Sequence, residues 1–369
     1  MRITFFGSSL TSAHWNGAAT YYRGICRALH RLGHSPVFVE QDIFDRQKHR
    51  DLLESPDYAE VVICRDLPEL DRELERARSS DLIVKCSGVG RYDEYLDAAV
   101  LQTRRDGNRV VYWDVDAPYT LAKAFHEPGW HFPQLVPRYD AILTYGGGPR
   151  VVEGYRRLGA RRVELVYNAV DEDTHYPVPP DPAFRCDLLF VGNRLPDREA
   201  RVRVYFLEAA ESCPSHTFLL GGEGWGDLPL PPNVRCLGHV PTSLHNRLNC
   251  SARLVLNVNR QAMAEYGYSP PTRVFEAAGA AACLVTDRWE GIEQFLEPGR
   301  EILVADTPTE VAFLVRTVTP LQAAEIGRRA RQRVLAHHTY RHRGEQLHAF
   351  LTSLYEVATE YGPCRESTP

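Results

Sequence analysis

Asp171-Glu-Asp-Thr-His-Tyr-Pro-Val-Pro-Pro-Asp-Pro182, followed by Asp187-Leu-Leu-Phe-Val191 and its closing Gly192-Asn193-Arg194, decides how this chain is built. The first stretch is rich in proline and acid and has no apolar period, which is linker composition. The second is a short apolar run ending at a glycine, the form of a buried strand leading into a loop. A β/α alternation therefore restarts after the linker. Upstream of it, strands are expected at 3–6, 36–40, 82–85, 110–113 and 141–145. Helical spacing runs from about 18 to 32, where Gly33 supplies a left-handed stop, and again around 69–78, 94–105 and 149–158. Downstream, strands are expected at 187–191, 217–220, 253–257, 283–286 and 301–304, then a mostly helical tail from about 321 to 361. Repeated β-then-α units predict parallel sheets covered by helices on both faces. The expected layout is an α/β first domain over 1–168, a linker over 169–185, a second domain over 186–340 and a helical tail over 341–369.

The chain has 369 residues, of which 44% are hydrophobic and 25% charged, enough for two sizeable cores. Its formal net charge of −5 creates no global field that would draw in nucleic acid or an anionic membrane. The nine cysteines include no C-x-x-C pair and are odd in number, which favours free buried thiols over a disulfide framework or a zinc site. Met1-Arg-Ile-Thr-Phe-Phe-Gly7 is too brief for a signal peptide, and no apolar run is long enough to span a bilayer. A soluble, cytoplasmic protein with no transmembrane segment and no nucleic-acid partner is the expectation.

Doubly wound sheets bind ligands at the carboxyl ends of their strands, and two facing domains would form a cleft there. The loops after the strands are therefore the places to look. Gly7-Ser8-Ser9-Leu-Thr-Ser12-Ala-His14-Trp15-Asn16-Gly17 lacks the dinucleotide pattern G-x-G-x-x-G but can offer backbone N–H groups to an oxygen-rich ligand. Ser8, Ser9, Trp15 and Asn16 are candidates for the acceptor side, and His14 could take a proton from an acceptor hydroxyl. The competing reading is that His14 and Trp15 only pack the loop.

Asp114 and Asp116, one residue apart after the strand at 110–113, could bind sugar hydroxyls, act as a base or hold a metal, although such a pair also arises by chance. Gly146-Gly147-Gly148 permits close approach by a ligand or another backbone, or simply makes a tight turn. Arg194 and Arg198, between a strand and a helix, can neutralise a diphosphate. The densest constellation is Tyr266-Gly-Tyr268-Ser269-Pro270-Pro271-Thr272-Arg273-Val-Phe-Glu276-Ala-Ala-Gly279. Ser269 as N-cap with Pro270 just inside predicts a helix start whose free N–H groups suit a phosphate. Glu276 stands in an apolar setting, where it could receive two ribose hydroxyls or else face solvent.

These residues resemble the C-terminal domain of GT-B glycosyltransferases, in particular the CgeB-like (spore-maturation-protein-like) group related to glycosyltransferase family 4. The resemblance rests on Gly192-Asn-Arg-Leu-Pro-Asp-Arg198, Leu237-Gly-His-Val-Pro241, Leu256-Asn-Val-Asn-Arg260 and Ser269-Pro-Pro-Thr-Arg-Val-Phe-Glu276. Gly291, Pro298-Gly-Arg-Glu301 and His338-Thr-Tyr-Arg-His-Arg343 extend it, and Gly7-Ser-Ser to Tyr22-Arg23-Gly24 is similar to the group's N-terminal half. It implies two Rossmann-like domains, a C-terminal helix, and transfer of a sugar, a hexose by expectation, from a nucleotide-diphosphate-sugar donor to an acceptor that stays open.

By position, the resemblance gives Glu276 the donor ribose, Ser269 to Arg273 (with Thr272) and Arg198 the diphosphate, and Gly238, His239 and Val240 the nucleobase. Gly192, Asn193 and Arg194 join the donor side. A UDP-sugar is the favoured donor, with no cofactor and no metal required. Family 4 enzymes often carry a further glutamate where this chain has Tyr268, which leaves the donor sugar and the stereochemical course open. Arg194, Arg198 and Arg273 would stabilise charge on the leaving diphosphate. An inverting reaction would need a base, Asp116 or His14; a retaining one would not. A sugar-nucleotide epimerase of the same shape and an idle nucleotide-sugar binder are the alternatives. His337, His338, His342 and the run Arg328-Arg-Ala-Arg-Gln-Arg333 read as structural or solvated.

Overall fold

The computed structural model describes residues 1–14, 16–88 and 90–360, the last four by backbone alone. Trp15 and Cys364 lie outside the described residues. Two compact units emerge: residues 1–145, 152–166 and those from 341 onward form the first, and residues 146–151 and 167–340 the second.

The first unit is built on seven strands: β1 (Arg2–Gly7), β2 (Ser35–Gln41), β3 (Glu60–Cys64), β4 (Leu82–Cys86), β5 (Arg109–Asp114), β6 (Ala141–Thr144) and β7 (Val163–Leu165). They pair in parallel in the order β3-β2-β1-β4-β5-β6-β7. Phe5, Ile83, Val84, Val111 and Ile142 are fully buried, as expected of strands covered on both faces. The helix Ala19–Arg31 returns the chain from β1 to β2 and buries Tyr21, Ile25 and Leu29. Trp113 Nε1 donates to the Tyr21 hydroxyl at 3.1 Å, and that hydroxyl donates to the Val166 carbonyl at 2.6 Å.

The C-terminal helix Tyr340–Glu360 belongs with this sheet from Arg341 onward. Gln346 Nε2 donates to the Leu165 carbonyl at 2.9 Å and the Tyr355 hydroxyl to the Asp81 carbonyl at 2.6 Å. Gly344 is what lets it approach: a Cβ there would stand 2.7 Å from that of Ala28.

The second unit carries β8 (Cys186–Val191), β9 (Phe218–Gly221), β10 (Val234–Gly238), β11 (Ala252–Asn257), β12 (Leu284–Asp287) and β13 (Leu303–Ala305), all parallel, in the order β10-β9-β8-β11-β12-β13. Side chains alternate between two cores along each strand. Leu188, Phe190, Leu254 and Leu256 enter one cluster; Leu189 and Val255 enter the other with Phe275, Trp289 and Phe295. The helix Pro320–His337 opens on a capping box between Thr319 and Gln322. The architecture is the pair of Rossmann-like parallel sheets that the alternation predicts.

Three strands lie outside the expected set: β3, whose Val61-Val-Ile-Cys64 is an apolar run, and β7 and β10, which have none. One expected feature is corrected. Ser269 is not an N-cap, because the helix begins at Thr272 with Pro271 in the capping position and no side-chain cap. A residue before proline is pushed out of the helical region, so Pro270, which precedes Pro271, cannot open the helix. The cysteines among the described residues are all free.

Candidate functional site

In the second sheet the chain steps from β8 outward to β9 and β10, then crosses to β11 on the other side of β8. The loops after β8 and β11 diverge at that point, the place where doubly wound sheets bind ligands. Arg273, from the helix Thr272–Gly279, ties the two strand ends together. One guanidinium nitrogen donates to Asn257 Oδ1 at 3.2 Å, at the end of β11, and another to the Val191 carbonyl, at the end of β8. Its carbon lies 4.9 Å from the centroid of the Phe190 ring.

Gly192 lies beneath it. A Cβ on Gly192 would stand 2.8 Å from an Arg273 nitrogen and 3.0 Å from one of Arg198, so both guanidiniums close over the same bare backbone. Burial, then the neighbouring Arg198, lowers the Arg273 pKa to about 9, against the pull of Glu276. It remains protonated at neutral pH. Two cations held together beside a helix start form a receptacle for an anion.

The rest of the Gly192 loop is held by its own contacts. Its carbonyl accepts from Trp225 Nε1 at 2.7 Å, and Asn193 Oδ1 accepts from the Glu223 N–H at 3.0 Å. Arg194, expected beside Arg198 at the diphosphate, is instead paired with Glu199 at 2.7 Å and Asp227 at 3.0 Å. With its charge balanced by two carboxylates, it braces the loop. At the end of β10, the Gly238 carbonyl accepts from Gly222 N–H at 2.7 Å, His239 is exposed 3.4 Å from Glu223, and Val240 packs over Gly221.

Glu276 lies one helical turn beyond Arg273 and is buried rather than solvent-facing. His175 Nε2 is 3.9 Å from one carboxylate oxygen and His245 Nδ1 3.7 Å from the other. Burial alone would raise the Glu276 pKa, but His175, His245 and Arg273 outweigh it and hold the acid down at about 2. Burial also pushes the His175 imidazole below its ordinary range. Neither histidine is legible as a site residue in the sequence, because no spacing links the linker, the short helix His245–Ser251 and Glu276.

Ser269 is fully buried and its hydroxyl donates to the Gly267 carbonyl at 2.9 Å. Tyr268 has a left-handed φ of 46°, rare for a bulky side chain. Its N–H donates to the Glu290 carbonyl at 2.6 Å and its carbonyl accepts from Gly147 N–H at 2.9 Å. Each glycine of 146–148 is crowded: a Cβ on Gly148 would stand 2.5 Å from the Tyr268 side chain, one on Gly146 3.2 Å from Ser269 Cα, and one on Gly147 would clash with Val151.

In the first unit, the loop after β1 is wrapped around a buried carboxylate. Glu40 accepts from Ser9 Oγ at 3.0 Å, Leu10 N–H at 2.6 Å, Thr11 N–H at 3.2 Å, Thr11 Oγ1 at 2.6 Å and Gln47 Nε2 at 2.8 Å. The N–H groups of Leu10 and Thr11, which the sequence offers to a ligand, are therefore occupied. Ser8 Oγ donates to Asn16 Oδ1 at 3.0 Å, and Asn16 Nδ2 to the Ser9 carbonyl at 2.9 Å. His14 stacks on His49 with centroids 4.1 Å apart.

Asp114, expected on the acceptor side, is fully buried, one oxygen accepting from Asp116 N–H at 2.8 Å and the other from the Tyr155 hydroxyl, contacts that hold the end of β5 to the fold. Asp116 stands at the start of the helix Ala117–His126 and is only partly buried.

The two sheets and the site at β8 and β11 define the GT-B glycosyltransferase fold. Residues 198–349 match the family described as "Glycosyl transferase-like". No curated protein matches the chain. Sucrose-phosphate synthase from Thermosynechococcus elongatus is a similar solved structure, with a TM-score of 0.72 at 14% identity over 97% of this chain and 100% of that one. Anabaena HepE in complex with UDP-glucose has a TM-score of 0.66 at 15% identity over 96% of this chain and 100% of that one. An alpha-glucosyltransferase in complex with UDP-glucose and DNA containing an abasic site has a TM-score of 0.69 at 13% identity over 95% of this chain and 99% of that one. Among the described residues no helix is long and apolar enough to cross a membrane.

Proposed function

We propose that the protein is a glycosyltransferase that takes a sugar, a hexose by preference, from a UDP-sugar held by the second unit, within the CgeB-like group related to family 4. The observation that carries the reading is the meeting of Arg198 and Arg273 over Gly192 at the switch between β8 and β11. The diphosphate would lie against these two cations, and the ionised Glu276 would receive the ribose hydroxyls. Gly238, His239 and Val240 would border the base, with Asn193, Tyr268, Ser269 and Thr272 shaping the surroundings. The UDP-glucose in the HepE and alpha-glucosyltransferase complexes favours uridine.

Sugar transfer builds negative charge on the departing diphosphate while the sugar becomes oxocarbenium-like. Guanidiniums already in place, in a partly desolvated pocket, stabilise that charge without reorganising. In this reading leaving-group stabilisation rests on side chains, not on a metal. The acceptor would approach residues of the first unit, with Ser8, Asn16, His14 and Asp116 the groups to test there. Arg273→Ala is the decisive variant: kcat for a UDP-sugar should fall by roughly one to three decades, the range seen on removing one charge-stabilising donor. An unchanged rate would remove the diphosphate assignment.

A further inference from the structure

We propose that His175, His245 and Glu276 form a binding site for one divalent transition-metal ion of the zinc type, sharing its carboxylate with the donor pocket. The three side chains come from separate parts of the second unit: the turn following Asp171, the first residue of the helix His245–Ser251, and the middle of the helix Thr272–Gly279. One potential ligand atom from each lies within 4.8 Å of the other two. Two imidazoles and one carboxylate with a remaining open position is a donor set that zinc takes, with bonds of about 2.0–2.2 Å. Tetrahedral donors at that bond length stand roughly 3.4 Å apart. The carboxylate–imidazole separations here are 3.7 and 3.9 Å and all three atoms lie within 4.8 Å of one another, so side-chain rotations that draw the donors together would close the set on an ion.

The surroundings suit a ligand set. His175 Nδ1 is 2.9 Å from Thr174 Oγ1, which fixes the ring and leaves Nε2 directed at Glu276. The charged groups facing the cluster are Arg273, one turn before Glu276 and repulsive to a cation, and Asp171, which acts on His175 from its own turn. The carboxylate must offset Arg273, which argues for an ion that binds imidazole well over one that needs only oxygen.

If Glu276 also receives the ribose, a claim resting on the function proposed above, the same oxygens cannot serve both. Metal and donor then exclude one another, and a thiophilic or imidazole-seeking metal becomes an inhibitor of the transferase.

The test is titration of the full chain, freed of metal and without nucleotide, with Zn²⁺ by calorimetry and with Co²⁺ by visible absorption. Wild type should take up one equivalent that His175→Ala and His245→Asn bind at least about tenfold more weakly, a loss that even an outer-shell partner can cause. The d–d bands of bound Co²⁺ should vanish with it. His245 is partly exposed, so its variant keeps the test alive should His175→Ala fail to fold. Equal uptake and equal spectra in wild type and the His245 variant would overturn the site. Uridine, which has a ribose but no phosphate to chelate metal, should weaken Zn²⁺ binding in wild type. If it does not, while Glu276→Gln still loses UDP, the exclusion is wrong and the ribose reading stands. If Glu276→Gln binds UDP normally, the ribose reading falls and the metal site is judged on the histidine variants alone.

Discussion

The guanidinium of Arg273 stacks on the ring of Phe190, 4.9 Å from its centroid, while its nitrogens reach the ends of β8 and β11. Both hydrogen-bond partners are neutral oxygens, so the guanidinium is positioned by the fold and not by a hydrogen-bonded carboxylate. Arg201 and Arg260 near by differ, being paired with Asp287 at 2.5 Å and Asp197 at 2.6 Å.

Donor affinity should follow that charge with pH. A base whose pKa is lowered to about 9 is protonated at neutrality and loses its proton as pH rises through 9. An anionic diphosphate binds the protonated form, so UDP-sugar affinity should hold from pH 7 to 8 and fall above about 9. The diphosphate of a UDP-sugar does not titrate in that window but the uracil imide does, so the arginine is read from the difference between the UDP and uridine profiles, both measured by calorimetry. A flat difference to pH 10 would show that Arg273 is not the receiving charge.

Gly192→Ala should separate fold from function. The added methyl would meet the flexible ends of Arg273 and Arg198 at 2.8 and 3.0 Å, which can swing away, and the Phe190 ring at 3.2 Å, which need give only by a few tenths of an ångström. The melting temperature should move by a few degrees at most, while UDP-sugar affinity drops roughly tenfold, the equivalent of about 1.4 kcal/mol.

Glu276→Gln should erase discrimination at the ribose. An ionised carboxylate accepting from the 2′ and 3′ hydroxyls contributes about 1.5–3 kcal/mol per charged hydrogen bond. Wild type should therefore prefer UDP over 2′-deoxy-UDP by at least about tenfold. The variant should bind the two alike, as measured by competition.

Glu40→Ala should unfold the first unit more easily without touching donor binding. Removing the carboxylate strands the N–H groups of Leu10 and Thr11 and two hydroxyls in a fully buried loop. Each orphaned buried donor costs about 1–3 kcal/mol. Denaturant melts of wild type and variant give the difference, and a change below 1 kcal/mol would contradict the buried-carboxylate account.

The fold was largely legible because strands covered on both faces must be continuous apolar runs, as Asp187-Leu-Leu-Phe-Val191 and Val110-Val-Tyr-Trp113 are. β3 was legible in Val61-Val-Ile-Cys64; β7 and β10 escape because they are sheet edges with half-exposed side chains, and β7 has only three residues. Less burial leaves less pattern. Of the candidate residues, Glu276 is marked in the sequence by its apolar setting, where a charge is costly, and Arg273 by the helix start and the family resemblance. Arg194 looked equivalent to Arg198, since the carboxylates that claim it, Glu199 and Asp227, are chosen by tertiary folding. His175 and His245 were invisible for the same reason, and Ser269 was misread because the effect of Pro271 on Pro270 outweighs its capping preference.

Titration of UDP and of uridine into wild type and Arg273→Ala tests the central claim most directly. The account predicts that wild type binds UDP far more tightly than uridine and that the variant loses most of that difference while still binding uridine. Equal UDP affinity in the two proteins, or no UDP binding to either, would contradict it.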